Sequence, residues 1–351
     1  MADPKDLAAH MTAALRSFGF EESRARGTRS SLETLLSITS LLTCSNMNMW
    51  ERLIRAEIAA SRREAANTDR GYATSILHRP SECRGSAFDG LASARFPWID
   101  LCHGCGRVRE RALEDIDGPA PDAFFFAVAL RRLNDWVPEV RATACSRLPA
   151  LAARSNPEHV VDALWALLPD YGSWLKAESD AGNGILGVME AAEVPRMLVD
   201  RITTAQTGRT SRILAQAGRS AAIDGELRTI ARGARQPATR ACAYGILLEG
   251  RMKWDVGHSW VRIDRYAGTS ARRPVYRERP LTVSVPFLEM LNEAAADRSA
   301  MVRRLAGMIL VRNLNVLGAQ LAEPARRLAA DPREYVAIHG RFAVNHLEGC
   351  P

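Results

Sequence analysis

The sequence predicts an all-α solenoid, short helical hairpins stacked in series, interrupted by one small β-hairpin or loop insertion. Three observations predict it. A five-position register recurs along the chain, apolar-periodic stretches lie upstream of its copies, and copies recur at about one hairpin's length.

The clearest copy is DWVPEVRATACSRLPAL, with Asp135 five residues before Val140, Arg141 directly after it, and Ala144 and Leu148 four and eight beyond. DRSAMVRRLAGMIL repeats it with Asp297, Val302, Arg303, Ala306 and Leu310. GRVRERALEDI gives Val108, Arg109, Ala112 and Ile116, and PATRACAYGIL gives Thr239, Arg240, Ala243 and Leu247, both without the Asp. DPREYVAIHGRFAV supplies Asp331, Val336, Gly340 and Val344, with Ala337 in place of Arg, and Ser211, Arg212 and Ala215 form the weakest copy. Val108 to Val140 is 32 positions and Val302 to Val336 is 34; the 99 from Val140 to Thr239 leaves room for two degenerate copies.

Positions i, i+4 and i+8 form one helical stripe, and a small residue at its middle admits a neighbouring helix. Asp before the helix suits a capping or turn position. AFFFAVALRRL, HVVDALWALL, VPFLEMLNEAA and GAQLAEPARRLAA are candidate first helices, so each unit reads as a helical hairpin that buries its apolar face only by stacking. The motif D-x4-V-R-x2-A-x3-L resembles the second helix of HEAT repeats in their short bacterial form, over roughly residues 94 to 348. The resemblance implies inter-repeat ion pairs involving Asp135, Arg141, Asp297 and Arg303, and a binding scaffold. It specifies fold and leaves chemistry open.

In chain order, residues 1–32 read as a flexible lead-in, being polar with Gly, Ser and Arg in RARGTRSS. Residues 33–95 read as an N-terminal helical cap and loop: ETLLSITSLL and MWERLIRAEIAASRR are helical, Leu35 to Trp50 is a buried helix, and ANTDRGYATSILHRPSECRGSAFDG is aperiodic. HEAT-like repeats occupy 96–250 and 286–351. Between them, residues 251–285 break the pattern with β-branched and aromatic residues around Gly268, Thr269 and Ser270, which predicts a β-hairpin or an extended loop.

Hydrophobic residues make up 47% and charged residues 25% of the 351, the composition of a folded globular protein. The net charge of +7 suits an anionic partner, although nearly all bases are Arg, with Lys only at Lys5, Lys176 and Lys253, a bias that GC-rich coding also produces. No signal peptide or membrane span is expected, and seven scattered Cys suit reduced thiols in the cytoplasm.

The insertion concentrates charge. Between Arg251 and Pro280, Arg251, Lys253, Arg262, Arg265, Arg272, Arg273, Arg277 and Arg279 face only Asp255, Asp264 and Glu278, with Trp254, Trp260, Tyr266 and Tyr276 interleaved. Three readings stand: aromatics pinning a hydrated loop to the solenoid, a protein or peptide site, or a nucleic-acid site. Cys102 and Cys105 are half of a zinc set that His78 and Cys83 would complete, but Cys105 also falls in an ordinary turn, and no metal or cofactor is expected. No Gly-rich phosphate loop, HExxH pair or nucleophile elbow appears, and Cys145 and Cys242 read as packing residues. The expected function is a macromolecular scaffold binding a protein through the concave solenoid face and the basic insertion. The alternative is a nucleic-acid-binding HEAT-like protein, down to a DNA repair glycosylase. Resemblance to alkylpurine glycosylases points to Trp254, Asp255 and Trp260 for that role, though these lie in the insertion and not on repeat helices.

Overall fold

The structure, a computed structural model, describes residues 4–23, 29–69, 96–174, 182–262 and 270–349. It is mostly helical, with one two-stranded antiparallel sheet among the described residues. The chain divides into two compact units, Met1–Leu167 with Leu175–Val194, and Leu168–Trp174 with Pro195–Pro351. The division falls inside the stretch 96–250 that the sequence reads as one run of repeats.

The first unit begins with α1 (Pro4–Ser23), α2 (Arg29–Thr39) and α3 (Met47–Asp69). The expected flexible lead-in is thus corrected: α1 packs on α2 and α3, burying Met11, Ala14 and Leu15. The single buried helix expected from Leu35 to Trp50 is likewise two helices, parted by a break at Ser40–Thr43 and a 3₁₀ turn at Cys44–Asn46. Residues 70–95, read from sequence as a loop, lie outside the described residues.

Next come α4 (Pro97–Asp100), α5 (Gly106–Asp115), α6 (Ala123–Arg131), α7 (Pro138–Arg154), α8 (Pro157–Tyr171) and α9 (Gly182–Met189). The last turn of α8 belongs to the second unit. Helix α6 is apolar all round because it is enclosed all round: Phe124 to Leu130 are all fully buried. Asp122 caps it, accepting from Phe125 N at 2.8 Å and from the Thr39 hydroxyl at 2.5 Å. Beside it Glu51 takes Arg132 at 2.6 Å, Arg131 at 2.7 Å and Arg55 at 3.0 Å, so a buried carboxylate is fully paired.

The second unit contains α10 (Val194–Thr204), α11 (Thr210–Ala217), α12 (Leu227–Gly233), α13 (Pro237–Glu249), β1 (Arg251–Arg262), β2 (Ser270–Pro280), α14 (Phe287–Ala295), α15 (Ala300–Arg312), α16 (Leu314–Leu317), α17 (Ala322–Ala329) and α18 (Glu334–Leu347). Here α11, α13, α15 and α18 pack in succession, and α12, α14 and α17 back onto them.

The register has one bonding pattern. Arg109 Nη2 lies 2.7 Å from Asp135 Oδ1, Arg240 Nε 2.9 Å from Asp297 Oδ2, and Arg303 Nε 2.5 Å from Asp331 Oδ2. In each case Nη1 also donates to the carbonyl six residues back, at His103, Ala234 and Asp297, and Arg141 does the same to Asp135. Each Asp accepts the backbone N–H two residues on: Val137, Ser299 and Arg333. This Asx turn starts the helix, and the preceding repeat's Arg bridges both oxygens, sharing Oδ1 with the backbone N–H and also bonding Oδ2. The Arg therefore pairs forward, and the partners are Arg109–Asp135 and Arg303–Asp331, a link the sequence alone left unassigned.

The stripe is the core. Val140, Ala144 and Leu148 are fully buried, as are Val302, Ala306 and Leu310. The weakest copy is corrected by one residue: Thr210 and Leu214 are fully buried, Ser211 is not, and the Thr210 hydroxyl meets that of Thr239 at 2.5 Å. The smallest position is tightest at Gly340, where a Cβ would stand 2.1 Å from the Ala329 backbone nitrogen.

Candidate binding arm

Helix α13 stops at Gly250, whose φ of 65° reverses the chain into β1 at no side-chain cost. β1 and β2 then pair from Arg251 opposite Pro280 to Arg262 opposite Ser270, with a bulge between Asp255 and His258. This decides the insertion in favour of a β-hairpin; its tip, residues 263–269, with Arg265 and Tyr266, lies outside the described residues.

The root of the hairpin is anchored. Met252 is fully buried against Gly218, where a Cβ would stand 2.2 Å from the Met252 sulfur. Arg279 donates to both oxygens of Asp224, at 2.7 and 2.8 Å, and to the carbonyls of Gly218 and Ser220. Asp224 also accepts from the backbone and hydroxyl of Thr282, both at 2.9 Å. Burial pushes the Asp224 carboxyl upward, but the Arg279 and Thr282 bonds outweigh it and hold the group below its ordinary range. At the bulge, Asp255 Oδ1 accepts from Gly257 N (φ 116°) at 2.7 Å and Oδ2 from Arg212 at 2.9 Å, while its carbonyl accepts from Gln216 at 2.8 Å. The guanidinium of Arg219 lies over the rings of Tyr171, at 4.6 Å, and half-buried Trp254, at 5.5 Å.

The predicted site residues divide accordingly. Arg251 pairs with Glu278, Lys253 with Glu249 and more distantly with Glu278, and Arg279 with Asp224. Trp254 belongs to the anchor. Towards the tip, Arg262, Arg272 and Arg273 are exposed and have no acidic partner among the described residues; Arg277 is exposed as well. Trp260, 73% exposed, stands opposite Arg272, and Tyr276 is 60% exposed. Pairing positions place Trp260, Arg262, Arg272 and Tyr276 on one face of the ribbon, and Trp254, Arg273 and Arg277 on the other. The trio of the glycosylase alternative is therefore not assembled: Trp254 and Trp260 face opposite ways, and both Asp255 oxygens are engaged.

Of the anchoring residues only Arg212 figures in the sequence reading, as part of the weakest register copy; Gln216, Gly218, Arg219 and Asp224 do not. Arg212 stands two residues after the leading Thr210, one past the register's arginine position, and takes its carboxylate from the insertion at Asp255.

Cys102 is fully buried and its thiol is pushed up to about 12, chiefly by burial and then by Glu51. His103 takes the register's Asp position, and its Nδ1 accepts from Cys105 N at 3.0 Å as the Asp carboxylates do elsewhere. His78 and Cys83 lie outside the described residues, among which no group of three or more His, Cys, Asp and Glu is placed to hold a metal ion. Nor is any single described helix long and apolar enough to cross a membrane.

No family model matches this chain, and no curated protein matches it. Among solved structures, a designed armadillo repeat protein, YIII(Dq)4CqI, is similar at 14% identity with a TM-score of 0.22, over 76% of this chain and 96% of the designed one. So low a score adds no weight to the fold, which rests on the helices and their Arg–Asp pairs.

Proposed function

We propose that this chain is a HEAT-like α-solenoid scaffold, working in the cytoplasm, that binds another protein through the outer half of its β-hairpin. The observation that supports this is the contrast along the ribbon: its root cations are neutralised, while Arg262 and Arg272 are left without acids on the face of exposed Trp260 and Tyr276, and Arg273 without one on the other face. Trp, Tyr and Arg are the residue types that dominate protein interface energetics. Exposed on a ribbon rooted by Met252 and Arg279, they add nothing to the core.

Nucleic acid is the second reading, since guanidinium groups suit phosphates and aromatic rings suit unpaired bases. Pairing of Arg251, Lys253 and Arg279 favours protein, because it interrupts the basic run that would otherwise make a continuous phosphate track. The test is capture from the native host by the parent and by the triple variant W260S/R272S/R273S, each with and without nuclease. Proteins held by the parent, lost by the variant and indifferent to nuclease are the expected result. Material lost on nuclease treatment favours the second reading, and equal capture by both chains defeats both.

A further inference from the structure

The second helices share a register, so their outward positions are comparable one by one. Counted from the register's leading residue, the positions one before, two after and six after lie opposite the buried stripe. In α5 they are Arg107, Glu110 and Glu114; in α7 Glu139, Ala142 and Ser146; in α13 Ala238, Ala241 and Gly245. In α15 they become Met301, Arg304 and Met308, and in α18 Tyr335, Ile338 and Phe342. Among these five helices small or polar residues give way to large apolar ones at most of these positions in the last two, and Met301, Tyr335, Ile338 and Phe342 are each 50–56% exposed.

The two helices are neighbours: Arg303 bonds Asp331, and a Cβ on Gly307 would stand 2.8 Å from that of His339. The exposed residues therefore form one patch across both. Contact with the adjacent repeat uses positions such as Arg303 and Gly307, around the helix from the patch, so stacking of a further repeat would not cover it. Parallel helices sit about 8–10 Å apart, and Tyr335 to Phe342 spans about 10 Å of helix, an area that fits about two turns of an opposing helix. Arg304 lies among these outward positions and Arg298 in the turn just before α15; both are exposed and have no acidic partner among the described residues. Together with the net charge of +7, they disfavour a second copy of this chain and select acidic flanks.

We infer that this patch docks an amphipathic helix of an acidic protein, apolar side on Met301, Tyr335, Ile338 and Phe342, acidic flank on Arg298 and Arg304. It extends the scaffold reading and rests on it, but uses a surface separate from the hairpin. The probe is a designed, fluorescently labelled peptide of roughly 18 residues, long enough to hold a helix, with Leu at helical spacing and Glu elsewhere. A matched peptide carries Lys for Glu. Anisotropy should show saturable binding of the Glu peptide and none of the Lys peptide. The double variant I338D/F342S should lose affinity at least about ten-fold with helicity intact, while W260S/R272S/R273S binds as the parent does. Arg304→Glu, an exposed substitution expected to leave folding intact, should weaken the Glu peptide and admit the Lys one, which keeps the test valid if the double variant unfolds. Equal binding of both peptides, indifference to the patch variants, or a dimer in light scattering that Ile338→Asp disperses would overturn the inference. Loss of the Glu peptide only in the hairpin variant would also overturn it, yet leave the hairpin reading standing.

Discussion

Arg240 and Asp297 meet as a two-point ion pair, 2.9 Å at each contact, although 57 positions and the whole β-hairpin separate them in sequence. The same arrangement joins Arg109 to Asp135 across 26 positions and Arg303 to Asp331 across 28. The hairpin thus emerges between two repeats without parting them.

Removing one partner of this pair strands the other. Arg240 is 1% exposed and Asp297 8%, so Arg240→Ala is expected to lower stability by about 3–5 kcal/mol in urea unfolding, through the uncompensated buried carboxylate. Replacing both by apolar residues of similar volume should cost much less than the single change. Near-equal losses would mean that the pair does not join the repeats.

Hairpin arginines should separate into two classes. Arg279→Ala leaves buried Asp224 with only the Thr282 donors, and a loss of similar size, about 3–5 kcal/mol, is expected, with faster hydrogen exchange along β1. Arg272→Ala and Arg273→Ala should stay within about 0.5 kcal/mol of the parent, as exposed substitutions do.

Two glycines of the repeat helices should respond with opposite sign. A methyl at Gly340 would run into the backbone of Leu328 and Ala329, so Gly340→Ala should destabilise by about 1–3 kcal/mol. At Gly245 a methyl meets only Leu305 at 3.6 Å, and Gly245→Ala should be neutral or stabilising by up to about 1 kcal/mol. Thermal melts of the two variants decide the matter.

Stability should fall in acid. Arg303 holds Asp331 below the ordinary carboxylate range, and for Asp135, Asp224 and Glu51 burial pulls upward but arginine neighbours outweigh it. A carboxyl whose folded pKa is depressed contributes stability above its unfolded value, about 4, and loses it as pH falls through the folded one. Asp122 has the opposite sign: burial raises it, so its contribution is present at low pH and is lost as pH rises through the folded value. Asp122→Asn, which keeps an acceptor for Phe125 N, should melt at or above the parent at pH 7, and Asp122→Ala below it by about 1 kcal/mol for the lost cap. Melts taken from pH 7 to 3 check both statements.

The repeats were legible because their signal is local. Val, Arg, small and apolar residues at fixed spacing sit on one helix, and every copy but the weakest folds where the register puts it. The weakest copy slipped by one because Ser211 and Thr210 are both small and polar, and only the neighbouring Thr239 distinguishes them. Helix α1 is hard to read from sequence because its buried residues, Met11, Ala14 and Leu15, belong to no copy of the register and the segment runs on into the Gly, Ser and Arg of RARGTRSS. In the hairpin, composition gave the charge and the aromatics. Which of them are neutralised depends on Glu249, Asp224 and Arg212, all outside the insertion and invisible to a reading of the insertion alone.

The division of the hairpin into a structural root and a binding outer half is tested most directly by measuring two quantities on the same samples. Parent, W260S/R272S/R273S and Arg279→Ser are each melted and each assayed for nuclease-resistant protein capture from the native host. The triple variant should melt with the parent and lose the captured protein, while Arg279→Ser should melt lower. A triple variant that melts well below the parent, yet captures the same protein per folded molecule, would contradict the account, making Trp260, Arg272 and Arg273 part of the structure and not of the interface.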